Sequence, residues 1–262
     1  MTPGDIVLRE NLRRLNLTHI LRNLESILRQ AREKGETYEE VLLATTEIEL
    51  QMRAESRLKR WLHEAKFPVM KTLEGFDWEA SKDLDKRQIR ELIAGDYIRD
   101  RRNVIFVGKP GTGKTHLATG LGIEACRAGV RTRFVTGCGL VNELIEARDE
   151  KRLSRVIQKY SRYGLLVLDE LGYVPFSKEG SELLFQVLTE RHERGSVVIT
   201  TNLGFADWTQ VFGDPTLTAA LLDRLTHKAH IINCTWESAI DSEKPSRQGR
   251  GCRPAPIEQL TR

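Results

Sequence analysis

Between Val7 and Ala65 the apolar residues recur at intervals of three and four: Leu8, Leu12, Leu15, Ile20, Leu24, Ile27 and Leu28, then Val41, Leu42, Ile48 and Met52. That period gathers them on one face of a helix, so residues 1–66 read as a small helical domain suited to holding a partner or DNA. "EKGETYEE" interrupts the pattern once: Gly35 suits a helix end, Thr37 suits the next cap, and Glu40 stands three positions on, as a capping box requires. The stretch "KFPVMKTLEGFDWEASKDLD" loses periodicity and carries Pro68 and Gly75, which predicts a linker or extended arm over 67–100.

From Asn103 onward the pattern changes. "NVIFVG", "TRFVTG", "GLLVLDE", "SVVITTN" and "AHIIN" are short runs that alternate with longer amphipathic segments. Runs apolar at consecutive positions predict strands covered on both faces, and strand–helix alternation predicts a parallel sheet, giving an α/β domain over 101–240. Residues 241–262 are rich in Pro, Arg and Gly and are expected to form a disordered basic tail.

Composition narrows the class. The chain has 262 residues, 40% of them hydrophobic, which suffices for a real core. No run approaches the roughly 18 to 20 apolar residues of a membrane span, and "MTPGDIVLRENLRR" lacks a signal peptide's apolar segment, so a cytoplasmic protein without a membrane partner is expected. Cys126, Cys138, Cys234 and Cys252 form no CxxC pair and have no neighbouring His cluster, which argues for ordinary thiols rather than a zinc site or disulfide framework.

The chemistry centres on "GKPGTGKT", a GxxxxGK pattern closed by Thr, set between a strand-like and a helix-like stretch. Gly108, Gly111 and Gly113 leave the backbone free to point consecutive N–H groups at an anion, and a helix beginning near Gly113 adds its positive end. The expected nucleotide contacts are Gly108, Lys109, Pro110, Gly111, Thr112, Gly113, Lys114 and Thr115, with His116 beside them. Lys114 would reach the β and γ phosphates, and the Thr115 hydroxyl would bind Mg²⁺. "LLVLDE" ends a buried strand in two acids, which assigns Asp169 to the metal and Glu170 to polarising an attacking water. Asn202, at the tip of "VVITTN", either holds that water or simply opens the turn "TNLG". Arg224 in "AALLDRLTH" reads either as an intrahelical partner of Asp223 or as an arginine finger for a neighbouring subunit. No Asn-Lys-x-Asp segment reads guanine, so ATP is the expected nucleotide.

Charge adds a possible partner. The net charge is +4, and six basic residues against Asp149 and Glu150 give the segment from Arg148 to Arg162 the same excess on its own. On a helix Arg148, Arg152, Arg155, Lys159 and Arg162 share one broad face, and with Lys151 they are either contacts for sequence-tolerant duplex DNA or an ordinary solvated surface. "QMRAESRLKRWLHEAK" is a second basic stretch.

With these residues in place the chain resembles the IstB-like ATP-binding proteins, helper ATPases encoded beside the transposase of certain bacterial insertion sequences, in the AAA+ group near DnaC-like helicase loaders. The resemblance runs from about Leu8 to Trp236, and its most specific motifs are "DELGYVPF" and "FGDP" followed by "LLDRLTH". It implies an AAA+ P-loop NTPase core with a five-stranded parallel sheet behind a helical N-terminal domain, Mg²⁺-dependent ATP hydrolysis, homo-oligomerisation on DNA and a transposase partner. A replicative helicase as partner, or an ATP-switched DNA clamp with little turnover, are the alternatives. The resemblance carries over the phosphate loop to Gly108 through Thr115, the acidic pair to Asp169 and Glu170, the sensor amide to Asn202 and the arginine finger to Arg224. Relatives commonly continue into Glu-Ser-Tyr-Arg, whereas here Glu237-Ser238 is followed by Ala239-Ile240.

Overall fold

The computed structural model describes residues 3–81 and 84–236; the expected tail and the departure after Ser238 lie outside them. Three helices come first: α1 (Pro3–Arg14), α2 (Thr18–Lys34) and α3 (Tyr38–Ala65). Ile20, Leu24, Ile27 and Ala31 form the buried stripe of α2, at the spacing the sequence displays. Gly35 ends α2 in the left-handed conformation at φ 66°, and Thr37 with Glu40 closes the expected capping box on α3. The single interruption expected in this region is joined by a second, at Asn16, which turns the chain with φ 54° between α1 and α2. Glu49 of α3 compensates for that break: its carboxylate accepts the N–H groups of His19 and Ile20 at 3.0 Å each, satisfying the open amino end of α2.

Residues 67–100, expected to be a linker or arm, are part of the core. A 3₁₀ turn at Leu73–Gly75 is followed by α4 (Lys86–Ile93) and α5 (Asp96–Arg99). Leu73, Phe76, Leu84, Ile89, Leu92 and Tyr97 are buried in one cluster with Val104 and Phe106 of the strand that follows them. The apolar residues here are spaced irregularly because they cover the sheet from several short elements, so no period announces them.

The α/β core contains β1 (Val104–Gly108), α6 (Lys114–Arg127), β2 (Thr132–Thr136), α7 (Gly137–Asp149), α8 (Leu153–Ser161), β3 (Leu165–Asp169), α9 (Lys178–Arg191), β4 (Ser196–Thr201), α10 (Trp208–Phe212), α11 (Pro215–Thr226) and β5 (His230–Cys234). All five expected strands form, and they pair in parallel in the order β2-β3-β4-β1-β5. Every residue of β3 and β4 is buried, as consecutive apolar runs require, whereas the edge strand β5 alternates. One face of the sheet is covered by α7, α9 and α11 through residues such as Leu140, Leu184 and Leu221, the other by α6 and the 67–100 segment through Leu117, Leu121 and Ile89. The order sets β4 between β3 and β1, so three strands end side by side at one carboxyl edge.

Candidate functional site

At that edge the phosphate loop joins β1 to α6. Gly111 and Gly113 take left-handed φ values of 81° and 82°, and a Cβ on Gly113 would stand 2.8 Å from the Phe76 ring. Gly108 is required for closeness instead: a Cβ there would collide with the Cys234 carbonyl of β5. Lys114 is buried, and its ammonium donates to the carbonyls of Gly108 and Lys109 at 2.8 and 2.6 Å, which holds the loop closed around it. Burial lowers the Lys114 pKa, while Cys234, Asp169 and Glu170 oppose that shift and favour the cation.

The two acids sit across the cleft. The buried Asp169 carboxylate accepts the Thr115 hydroxyl at 2.9 Å and the Thr200 hydroxyl at 2.5 Å through the same oxygen. Thr200 in turn accepts the Glu170 N–H at 2.9 Å. Glu170 itself leaves the strand at φ 55° with an exposed side chain. Ile199 pairs with Leu168, so Thr200 falls opposite Asp169 and between it and β1. Thr200 is the site residue that sequence reasoning passed over. Its signal was a polar pair ending an otherwise apolar strand, which gains a partner only once the neighbouring strand is known.

A cleft of about 320 Å³ is lined by Pro110, Gly111, Gly113, Thr115, Glu170 and Asn202, among others. His116 also lines this cleft, and its ring is held in place: its Nε2 lies 2.7 Å from the Thr72 carbonyl, and its ring meets Phe76 edge-on at 5.3 Å. It thereby fastens the 67–81 segment to the first turn of α6, and Lys71 of that segment reaches the cleft. Among the described residues no three His, Cys, Asp or Glu side chains cluster as a closed metal cage. The Thr115 hydroxyl and Asp169 carboxylate nevertheless form the oxygen pair that suits a magnesium ion keeping phosphate and water as its other ligands.

Arg224 does not join this cleft. It lies on α11 over the Phe185 ring at 4.8 Å and lines a second cavity with Asn103 and Gly195, which precede β1 and β4 at the opposite end of the sheet. It forms no ion pair with Asp223 among the described residues, so the intrahelical alternative is not realised. The basic segment also differs from expectation. It is two helices rather than one, broken where Lys151 turns at φ 56°. Arg148 pairs with Asp149 and Glu179, Arg152 with Glu150, and Lys159 with Glu143. Acids close in sequence or brought in by α7 and α9 neutralise half of the run, which a count of charges does not reveal. Lys151, Arg155 and Arg162 are exposed and carry no ion pair among the described residues.

The profile of the IstB-like ATP binding protein family matches residues 10–246. An ATP-binding protein of insertion sequence IS21 from Pseudomonas aeruginosa is 40% identical over 233 residues, 89% of this chain and 88% of that one. Its counterpart from insertion sequence IS5376 of Geobacillus stearothermophilus is 34% identical over 235 residues, 90% of this chain and 94% of that one. Among solved structures, AMPPCP-bound DnaA from Aquifex aeolicus superposes with a TM-score of 0.54 at 17% identity, covering 64% of this chain and 51% of that one. DnaI gives a TM-score of 0.53 at 18% identity, covering 62% and 89%. These two likenesses are of fold, and they match the AAA+ arrangement of the sheet.

Proposed function

The chain belongs to the IstB-like ATP-binding family, and on that premise we propose that it is a Mg²⁺-dependent ATPase that multimerises on duplex DNA and assists a transposase. The observation that carries the hydrolytic part is the Thr115–Asp169–Thr200 chain with Glu170 next to it at the cleft rim. Bound Mg²⁺ would neutralise charge on the β and γ phosphates, held by Thr115 and Asp169. Lys114 balances phosphate charge, the loop N–H groups orient the triphosphate, and Glu170 takes a proton from the water attacking the γ-phosphorus. Asn202 positions that water from the end of β4.

Arg224, remote from its own cleft, is proposed to act on a neighbouring subunit's nucleotide, which ties turnover to assembly. Among the basic residues, those without a carboxylate partner are the stronger candidates for DNA. The relatives' names place them in insertion sequences, which favours a transposase over a helicase as the protein handled.

The test of the chemistry is Glu170→Gln: ATP and Mg²⁺ binding persist while hydrolysis slows by a factor on the order of 10² to 10⁴, the usual contribution of a general base. Hydrolysis at the parent rate would remove Glu170 from that role. Co-purification with the transposase of the same element, set against a replicative helicase, tests the partner.

A further inference from the structure

Helix α3 carries the second basic stretch of the sequence to the open edge of the sheet, where β2 is the last strand. The Glu64 carboxylate accepts from Arg131 at 3.1 Å, and the Glu64 carbonyl accepts from Arg133 Nη1 at 3.2 Å. Trp61 lies over Gly129 just before that strand, and the Arg57 guanidinium stands 5.9 Å from the Trp61 ring centre. At about 100° per residue, positions 57, 60, 61 and 64 share one face of α3, so Arg57 and Arg60 flank this contact. On the other side Arg131 stands over the Tyr163 ring at 5.1 Å, and Tyr163 follows Arg162, the capping residue of α8.

One seam along β2 therefore collects cations from three stretches far apart in sequence: Arg57 and Arg60, Arg131 and Arg133, Lys159 and Arg162. Glu64 engages Arg131 and Glu143 engages Lys159. Arg57, Arg60 and Arg162 are exposed and have no ion pair among the described residues. At the α7–α8 turn, by contrast, Arg148 and Arg152 are already held by carboxylates and would have to exchange them for phosphate.

We propose that this seam is the principal grip on duplex DNA, with the backbone lying along the β2 edge and Arg57, Arg60 and Arg162 each meeting a phosphate. The proposal rests on the DNA-binding reading above and moves the contact from the α7–α8 stripe to the junction of the N-terminal helices with the ATPase sheet. The position has a consequence for coupling. α3 ends at Ala65, and Thr72 shortly after it holds His116 beside the phosphate loop, so DNA seated on α3 pulls on a segment fastened to the nucleotide site.

The experiment is a salt titration of duplex binding by the full chain with ATP, on two unrelated sequences. Each phosphate contact contributes roughly 0.9 to the slope of log affinity against log salt, so Arg57→Ala/Arg60→Ala/Arg162→Ala lowers the slope by about 2 to 3 on both duplexes. Arg148→Ala/Arg152→Ala leaves it parallel to the parent. The triple lysine variant Arg57→Lys/Arg60→Lys/Arg162→Lys retains the parent slope, which separates lost charge from lost structure, and ATP binding by the alanine variant checks its fold. An unchanged slope in the alanine variant overturns the seam, as does an equal loss in the lysine variant. A parent that binds no duplex at any salt with ATP present overturns the DNA reading itself, and the seam with it.

Discussion

Replacing Thr200 by Val asks whether the strand between the phosphate loop and the acidic pair holds that pair in place. Thr200 is 1% exposed, and its hydroxyl donates to Asp169 at 2.5 Å and accepts from the Glu170 N–H at 2.9 Å. Valine has nearly the same shape, so the cavity contribution is small and the hydrogen bonds dominate. Losing a bond to a buried carboxylate costs about 1.5 to 3 kcal/mol, and the Glu170 N–H, on an exposed residue, adds up to about 1 kcal/mol because water replaces its partner in part. Together this is about 1.5 to 4 kcal/mol, and for a folding unit of this size each kcal/mol moves the melting temperature by roughly 2 to 4 °C. A melting temperature lower by about 3 to 16 °C is expected. Asp169 is then held by Thr115 alone and Glu170 loses the contact that fixes its backbone, so kcat for ATP falls at least about tenfold while nucleotide affinity changes little. Thr201→Val is the control, since that hydroxyl bonds only its local neighbour Leu203. Thermal melting and steady-state hydrolysis of both variants decide the matter. A Thr200→Val protein that melts and turns over like the parent refutes the reasoning.

Glu49 gives an acid limit to the N-terminal helices. Burial alone would raise its pKa, but the Ile20 N–H, Arg53 and the His19 N–H together hold it below the ordinary carboxylate value. A lowered folded-state pKa gives stability that is present above the unfolded value, near 4.3, and lost as pH falls through the folded one, so melting followed by helical circular dichroism weakens below about pH 4 and Glu49→Gln flattens that limb. For Arg224, alanine substitution abolishes DNA-stimulated turnover, and mixing that variant with Lys114→Ala restores part of it, because a mixed interface pairs an intact loop with an intact finger. No recovery in assemblies shown to be mixed places Arg224 outside the reaction.

The phosphate loop, the acidic pair and all five strands were legible in the sequence because each is local: "GKPGTGKT" contains its own glycines and lysine, and a strand buried on both faces is apolar at every position. The capping box at Thr37 and Glu40 was legible for the same reason, spanning only three residues. Strand order was not, since nothing along the chain says that β4 lies between β3 and β1, and with that order hidden nothing singled out Thr200 among the strand residues. The 67–100 segment looked like a linker because Leu73, Phe76 and Ile89 are buried by a sheet and helix that follow them, not by a period among themselves. Arg148 and Arg162 counted alike in the sequence, yet Glu179 reaches the first from α9 while the second has no ion pair among the described residues. The sequence by itself determined which chemical groups the protein has and which local elements carry them. Which groups meet, and which charges remain unpaired for a partner, was decided by tertiary structure, because those contacts join residues whose separation along the chain carries no signal.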